Sequence, residues 1–254
     1  MDFTNKVALI TGASKGIGAS IAYDLASHNC NVSINYNNSY KEALKLKQEI
    51  ENKFNVKVLI IKADITKENE IINMVNIVIK EFGKIDILVN NAGIAIDSII
   101  EDKNKDNFYK ILDTNLVGPF LISRYVAKYM LEQKEGSIIN ISSTNGIDTY
   151  YEYSLDYDAS KAGLISLTHN LSKMYAPFIR VNAIAPGWVN TEMNKELDEE
   201  YIKEEEKNIY LKRFAQPDEI AKVVTFLASS DASYINNEVI RVDGGTQHAW
   251  WIKI

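Results

Sequence analysis

Seven short, almost continuously apolar runs recur along the chain, at 6–11, 31–36, 56–62, 85–90, 136–142, 178–185 and 237–242. Runs without polar alternation suit strands covered on both faces. Between them lie helix-length segments at 16–28, 39–52, 67–82, 113–133, 157–175 and 217–229. Asp113 or Thr114 can cap the long central segment. Pro217-Asp-Glu places a proline and two carboxylates in a first turn, at the positive end of the helix dipole. The alternation predicts an α/β fold, a doubly wound parallel sheet of about seven strands with helices on both faces and right-handed crossovers.

No Pro/Gly/Ser-rich linker, internal repeat or low-complexity tract interrupts the pattern, so 1–254 reads as a single domain. One segment departs from it. Residues 188–213 carry KELDEEYIKEEEK, in which Leu197, Tyr201, Ile202 and Ile209 can share one helical side. It reads either as an ordinary surface helix or as a cover over a cleft at the carboxyl end of the sheet, a substrate-covering segment.

Composition narrows the class. The chain is 46% hydrophobic and 24% charged, with a net charge of −6 and no basic run, which argues against a nucleic-acid or anionic-membrane surface. One cysteine, Cys30, excludes an intrachain disulfide, and three scattered histidines give no metal-ligand spacing, so no metal site is expected. MDFTNKVALITG lacks an apolar signal core, and nowhere do 18 apolar residues run together. A cytoplasmic protein is expected.

The first strand runs into TGASKGIG, where Gly12, Gly16 and Gly18 precede a helix, with Ser14, Lys15 and Ile17 between them. Such glycines give a tight turn, backbone approach to a pyrophosphate and close helix–strand packing, a Rossmann-type nucleotide site. Three glycines can also be merely a turn, but their place between strand and helix favours the nucleotide. The second strand ends Tyr36-Asn37-Asn38-Ser39, without the carboxylate that would bind a ribose 2′-hydroxyl and repel a 2′-phosphate. Lys15 adds a cation near that position. The cofactor expected is NADP(H) rather than NAD(H).

A third signal lies in SLDYDASKAG. Tyr157 and Lys161 stand one turn apart on a helical face, with Ser143 upstream. A phenol is inert near pH 7 unless a neighbouring charge favours its ionised form. Alone, Tyr157 reads equally as a helix-face aromatic, since the chain has 14 tyrosines. Beside the lysine and the glycine loop it reads as a proton-transfer group.

With TGASKGIG, NNAG (90–93), Asn115, Ser143 and Tyr157-x-x-x-Lys161 in order, the chain resembles the short-chain dehydrogenase/reductases from Lys6 to Gly245. IAPGWVNTEM, RFAQPDEIA and VDGGT are similar to that family's later landmarks. The resemblance implies hydride transfer between nicotinamide and a carbonyl or secondary alcohol. By it, Tyr157 is the general acid/base, Lys161 lowers its pKa and binds the nicotinamide ribose, Ser143 steadies the substrate oxygen, and Asn115 completes a water-linked proton path. Ser142 competes with Ser143, whose spacing to Tyr157 is nearer the family's though one residue long. The resemblance also places Asp64 and Ile65 at adenine, and Asn91, Ala92 and Gly93 along the adenosine half. Pro186, Gly187, Val189 and Thr191 would surround the nicotinamide, and Asp64 could instead simply end a strand.

Among relatives the chain looks most like 3-oxoacyl-[acyl-carrier-protein] reductases, which implies a carrier-bound acyl substrate and fatty-acid synthesis. Two features point elsewhere. Ala176-Pro177 stands where carrier-protein reductases often have a basic residue; Tyr150, Tyr151 and Tyr153 read either as wall packing or as a platform for a sugar or ring-shaped substrate, and Asp148, Glu152 and Asp156 suit a polyhydroxylated ligand. A sugar or polyol (glucose-dehydrogenase-like) or hydroxysteroid dehydrogenase is the alternative, and a non-catalytic nucleotide sensor the alternative of another class. The resemblance implies a homotetramer joined through 113–133 and 157–175. The C-terminal tail, 246–254, ends HAWWIKI, whose tryptophans and isoleucines suggest packing on a neighbouring subunit.

Overall fold

The structure, a computed structural model, describes residues 1–194 and 197–246. The apolar runs form β1 (Val7–Ile10), β2 (Asn31–Tyr36), β3 (Val58–Lys62), β4 (Ile87–Asn90), β5 (Gly136–Ile141), β6 (Ile179–Pro186) and β7 (Val239–Val242). They build one sheet in the order β3-β2-β1-β4-β5-β6-β7. Every pairing is parallel. The expected doubly wound, Rossmann-type sheet is the one observed. Strand order reverses between β1 and β4, so crossovers leave in opposite directions there and open a crevice at the carboxyl ends.

Both faces of the sheet are covered, which explains the missing polar alternation. Ala8 and Ile10 of β1 pack with Ile21 and Leu25 of α1 (Gly16–Ser27), Ile50 of α2 (Tyr40–Lys53) and Val224 of α8 (Pro217–Ala228). Their neighbours Val7 and Leu9 face the other way. They join Met74 and Val78 of α3 (Glu68–Phe82), Val126 of α5 (Gly118–Gln133) and Leu171 of α6 (Leu155–Tyr175). Leu9, Ile10, Ile21 and Leu25 are completely buried, each contributing roughly 1.5–3 kcal/mol against exposure. Among the described residues no helix is long and apolar enough to cross a membrane.

The central helix differs from expectation. No cap forms at Asp113 or Thr114, because the chain is already helical in α4 (Lys105–Leu112), where Asn104 accepts from the Asn107 N–H at 2.9 Å. A π turn over Asp113–Val117 then leads into α5, whose first turn contains Pro119. Proline has no N–H to return to the preceding turn, and the helical ladder widens there. Thr114 Oγ1 donates instead to the Lys110 carbonyl at 2.9 Å. This widened turn carries Asn115.

In the 188–213 stretch, α7 (Glu199–Asn208) is a short helix with no buried residue. Its flanks are anchored by bridges from Val189 to Ala215 and from Ile209 to Thr246. The expectation for the tail beyond Thr246 lies outside the described residues.

Candidate active site

The candidate cofactor-binding and catalytic residues lie at the carboxyl edge of the sheet, on the ends of β1 to β6, the connections that leave them or the neighbouring turns of α5 and α6. Gly12 and Gly16 both adopt φ of +60°, where a side chain is strained. A Cβ on Gly12 would stand 2.8 Å from Ala92 Cα, and one on Gly18 2.4 Å from Asn91 Nδ2. At Gly16 a Cβ would meet only Thr191, at 3.7 Å. Gly12 and Gly18 therefore serve packing, whereas Gly16 faces the crevice. Ser14, Lys15 and Ile17 complete the loop, and α1 begins after Lys15 without a side-chain cap. Its first N–H groups form an anion-binding end that fits a nucleotide pyrophosphate.

Polar struts hold this loop in shape. Asn91 Nδ2 donates to the Thr11 and Gly12 carbonyls at 2.9 and 3.1 Å, and the Asn91 and Ala92 N–H groups donate to Thr11 Oγ1. Asn35, which sequence reasoning missed, accepts from the Gly12 N–H at 3.2 Å and donates to the Ala63 carbonyl at 3.0 Å. A polar residue at a fully covered strand position was the signal that could have revealed it.

At the outer end of the crevice, Tyr36 is buried and its ring lies 5.8 Å from that of Tyr40, with Asn37 and Asn38 exposed and Ser39 half-buried after it. Asp64 both ends β3 and shapes its own turn. Burial pushes its carboxyl up, but hydrogen bonds from Thr66 N and Oγ1 and the nearby Lys67 outweigh that and hold it below the ordinary range. Ile65 is buried beneath the π turn, where its carbonyl lies 2.8 Å from the Cβ position of Gly118. Lys15 forms an ion pair with Glu192 at 2.9 Å, and the two line a pocket with Gly93, Ile94 and Ala95. Pro186 and Val189 are buried behind Gly187 and Thr191 on the far wall.

The proton-transfer candidates meet beside this pocket. Lys161 is buried, donates from Nζ to the Ile141 carbonyl at 2.8 Å and lies 5.4 Å from the centroid of the Tyr157 ring. The Tyr157 phenol lies beside Ser143, whose hydroxyl donates to Asn145 Oδ1 at 3.2 Å. Ser142 Oγ donates to the Lys161 carbonyl at 2.9 Å, whereas Ser143 lies beside the phenol. Burial pushes the Tyr157 phenol up to about 12 and the Lys161 ammonium down to about 8. The direction at Tyr157 is opposite to the lowering that the resemblance implies, because in this chain desolvation outweighs the lowering by the neighbouring Ser143. Asn115 is wholly buried, and its amide exchanges two 2.9 Å hydrogen bonds with the Ile94 peptide while donating to Ser160 Oγ at 3.0 Å. Gly93 passes so close that a Cβ would come within 3.4 Å of both Lys161 Nζ and Asn115 Oδ1.

Tyr151 and Tyr201 of α7 are neighbours. The Trp188 ring stacks on Phe214 at 5.3 Å, and its Nε1 donates to Glu205 of α7 at 2.9 Å. Trp188 thereby ties α7 to the chain that follows β6. Beside it a groove is lined by Ile99, Ile100, Tyr153 and Leu155, with Glu101 and Glu152 at its rim.

Comparison with known proteins agrees with this arrangement. Residues 12–247 match the family model described as enoyl-(acyl carrier protein) reductase. The chain is 40% identical to a 3-oxoacyl-[acyl-carrier-protein] reductase FabG of Staphylococcus epidermidis, covering 95% of this chain and 98% of that one. It is 39% identical to the reductase of the same name from Staphylococcus aureus, over 94% and 97%. Among solved structures, a short-chain dehydrogenase from Burkholderia cenocepacia in complex with NADP is 30% identical, with a TM-score of 0.90 over 96% of this chain and 99% of that one. A short-chain type dehydrogenase/reductase from Mycobacterium marinum is 34% identical, with a TM-score of 0.90 over 96% of each chain. The similarity thus runs along nearly the whole chain. The protein belongs to the short-chain dehydrogenase/reductase family, a nicotinamide-nucleotide-binding oxidoreductase acting on carbonyl and alcohol groups.

Proposed function

We propose that the protein reduces 3-oxoacyl thioesters, presented on acyl carrier protein, to 3-hydroxyacyl thioesters with NADPH. The observation that carries the reading is the buried Lys161 ammonium 5.4 Å from the centroid of the Tyr157 ring, with Ser143 beside the phenol, supported by reductases of that name at 39–40% identity. The apolar groove of Ile99, Ile100, Tyr153 and Leu155 suits an acyl chain. When bound, the nicotinamide supplies hydride to the carbonyl carbon. Negative charge then develops on the carbonyl oxygen, where Ser143 Oγ donates a hydrogen bond and Tyr157 gives up its proton to form the alcohol. The phenolate left behind is stabilised by the Lys161 ammonium, which would also hold the nicotinamide ribose. Asn115 contributes by fixing Ile94 and Ser160 on either side of the lysine.

The nucleotide would lie with its pyrophosphate on the N-terminus of α1, its adenine near Asp64 and Ile65, and its nicotinamide against Pro186, Gly187, Val189 and Thr191. Asn37, Asn38 and Ser39 offer hydrogen-bonding groups and no carboxylate to a 2′-phosphate, which supports NADPH over NADH. Residues 188–213 act as the cover, and the protein works in the cytoplasm as a homotetramer. Exposed Tyr109, Val117, Phe120 and Leu131 along α4 and α5 support a subunit contact there.

A sugar or polyol is the second reading. It is favoured by Asp97, whose carboxyl desolvation pushes above its ordinary range and whose charge reaches both Tyr151 and Tyr157. Initial rates with acetoacetyl thioesters, ketoses and polyols, followed at the nicotinamide absorbance, decide between them. Preference for the thioester with NADPH is expected; faster turnover of a ketose or polyol, or with NADH, overturns the first reading.

A further inference from the structure

Tyr157 is held at both ends of its own residue. Its carbonyl accepts from Ser160 Oγ at 2.6 Å, and Ser160 is in turn tied to Asn115. Its N–H donates to Asp156 Oδ1 at 3.0 Å. That carboxylate also receives Lys103 Nζ at 2.7 Å, in an ion pair whose side chains are 6% and 0% exposed. From the same ammonium Lys103 donates to the Ile96 carbonyl at 2.7 Å. A second tie runs alongside, from the Ser98 N–H to the Tyr153 carbonyl at 3.1 Å.

Lys103 stands just before α4, and Asp156 lies in the first turn of α6. The ammonium therefore joins three pieces of chain: the crevice wall that continues from Gly93, the approach to α4, and the residue preceding Tyr157. A buried carboxylate needs a partner, and Asp156 Oδ2 has none among the described residues, so Lys103 carries the neutralisation on the other oxygen.

We propose that Lys103 is a positioning residue for the reaction: through Asp156 and Ile96 it sets where the Tyr157 hydroxyl stands relative to the crevice wall. This rests on the reading of Tyr157 as the proton donor. The two-ended grip explains why a full ion pair is buried one residue from a reacting group. A neutral pair would fill the same space, but it would not lock the wall to the helix.

The test compares wild type, Lys103→Met, Lys103→Met/Asp156→Asn and Tyr157→Phe, using the carbonyl compound that wild type reduces fastest. The readings are kcat, KM, melting temperature and NADPH affinity by fluorescence. Lys103→Met leaves a buried charge unpaired and lowers both melting temperature and kcat. The double variant removes that charge, and the amide oxygen it introduces can still accept from the Tyr157 N–H. It is expected to regain the melting temperature and keep NADPH affinity within about twofold, while kcat stays down by ~10²-fold, the scale set by a misplacement of about 1 Å. A merely structural pair would restore kcat together with melting temperature, and that result overturns the proposal; so does a single variant with wild-type kcat. Tyr157→Phe separates the two readings. If it turns over normally, the assignment of Tyr157 falls and Lys103 has nothing to position. If it is inactive while the double variant is fast, only the role of Lys103 falls.

Discussion

Lys161 places its ammonium 5.4 Å from the centroid of the Tyr157 ring while donating to the Ile141 carbonyl at 2.8 Å. The lysine thus faces the phenol it serves from a desolvated position, fixed by a strand end. Desolvation acts in opposite directions on the two groups, holding the phenol neutral and easing the proton off the ammonium.

A pH dependence follows with a definite sign. With Tyr157 at about 12 and Lys161 at about 8, raising the pH removes the lysine's charge long before the phenol's proton. In ketone reduction, kcat/KM for NADPH reports the free enzyme and should fall about tenfold per pH unit above about 8. Steady-state rates between about pH 6 and 10 check this, and a profile flat through that range contradicts it.

The proposed preference for NADPH turns on Lys15. Its ion pair with Glu192 at 2.9 Å joins two partly exposed side chains and holds the lysine at the pocket mouth. Glu192→Gln should release it toward a 2′-phosphate. Because exposed pairs are worth up to ~1 kcal/mol, NADPH should bind up to about fivefold tighter with NADH unchanged. Fluorescence titration of both nucleotides measures it; equal shifts for the two would place Lys15 away from the phosphate.

The proposed cover over the cleft depends on Trp188. Trp188→Phe keeps an aromatic ring against Phe214 but loses the 2.9 Å hydrogen bond to Glu205 of α7. A single hydrogen bond to a charged group contributes about 1.5–3 kcal/mol, so the carbonyl KM should rise at least several-fold with NADPH affinity intact. Unchanged KM in steady-state assays would show that α7 does not contact the substrate's side of the cleft.

The sheet was legible because its strands are buried on both faces: Val7 and Leu9 look one way, Ala8 and Ile10 the other, leaving an unbroken apolar run. The glycine loop and the Tyr157–Lys161 pair were legible because each depends on local spacing. What escaped depends on distant partners or on backbone detail. Ser142 and Ser143 differ in role only because the Lys161 carbonyl takes one of them. Asn35 is conspicuous as a polar residue in a covered strand, but its partner Gly12 lies in a different part of the chain. Lys103 and Asp156 are far apart in the chain, and nothing local to either announces the other. The π turn at Asp113–Val117 hides behind a sequence that reads as a cap followed by a helix.

The central claim is that the Tyr157 hydroxyl transfers the proton. Its most direct test is Tyr157→Phe, measured for turnover and for NADPH affinity in the same preparation. A positioned general acid contributes about 10²–10⁴-fold, so kcat should fall by that much while NADPH affinity stays within about twofold. A Tyr157→Phe protein that turns over within a few-fold of wild type would contradict the account.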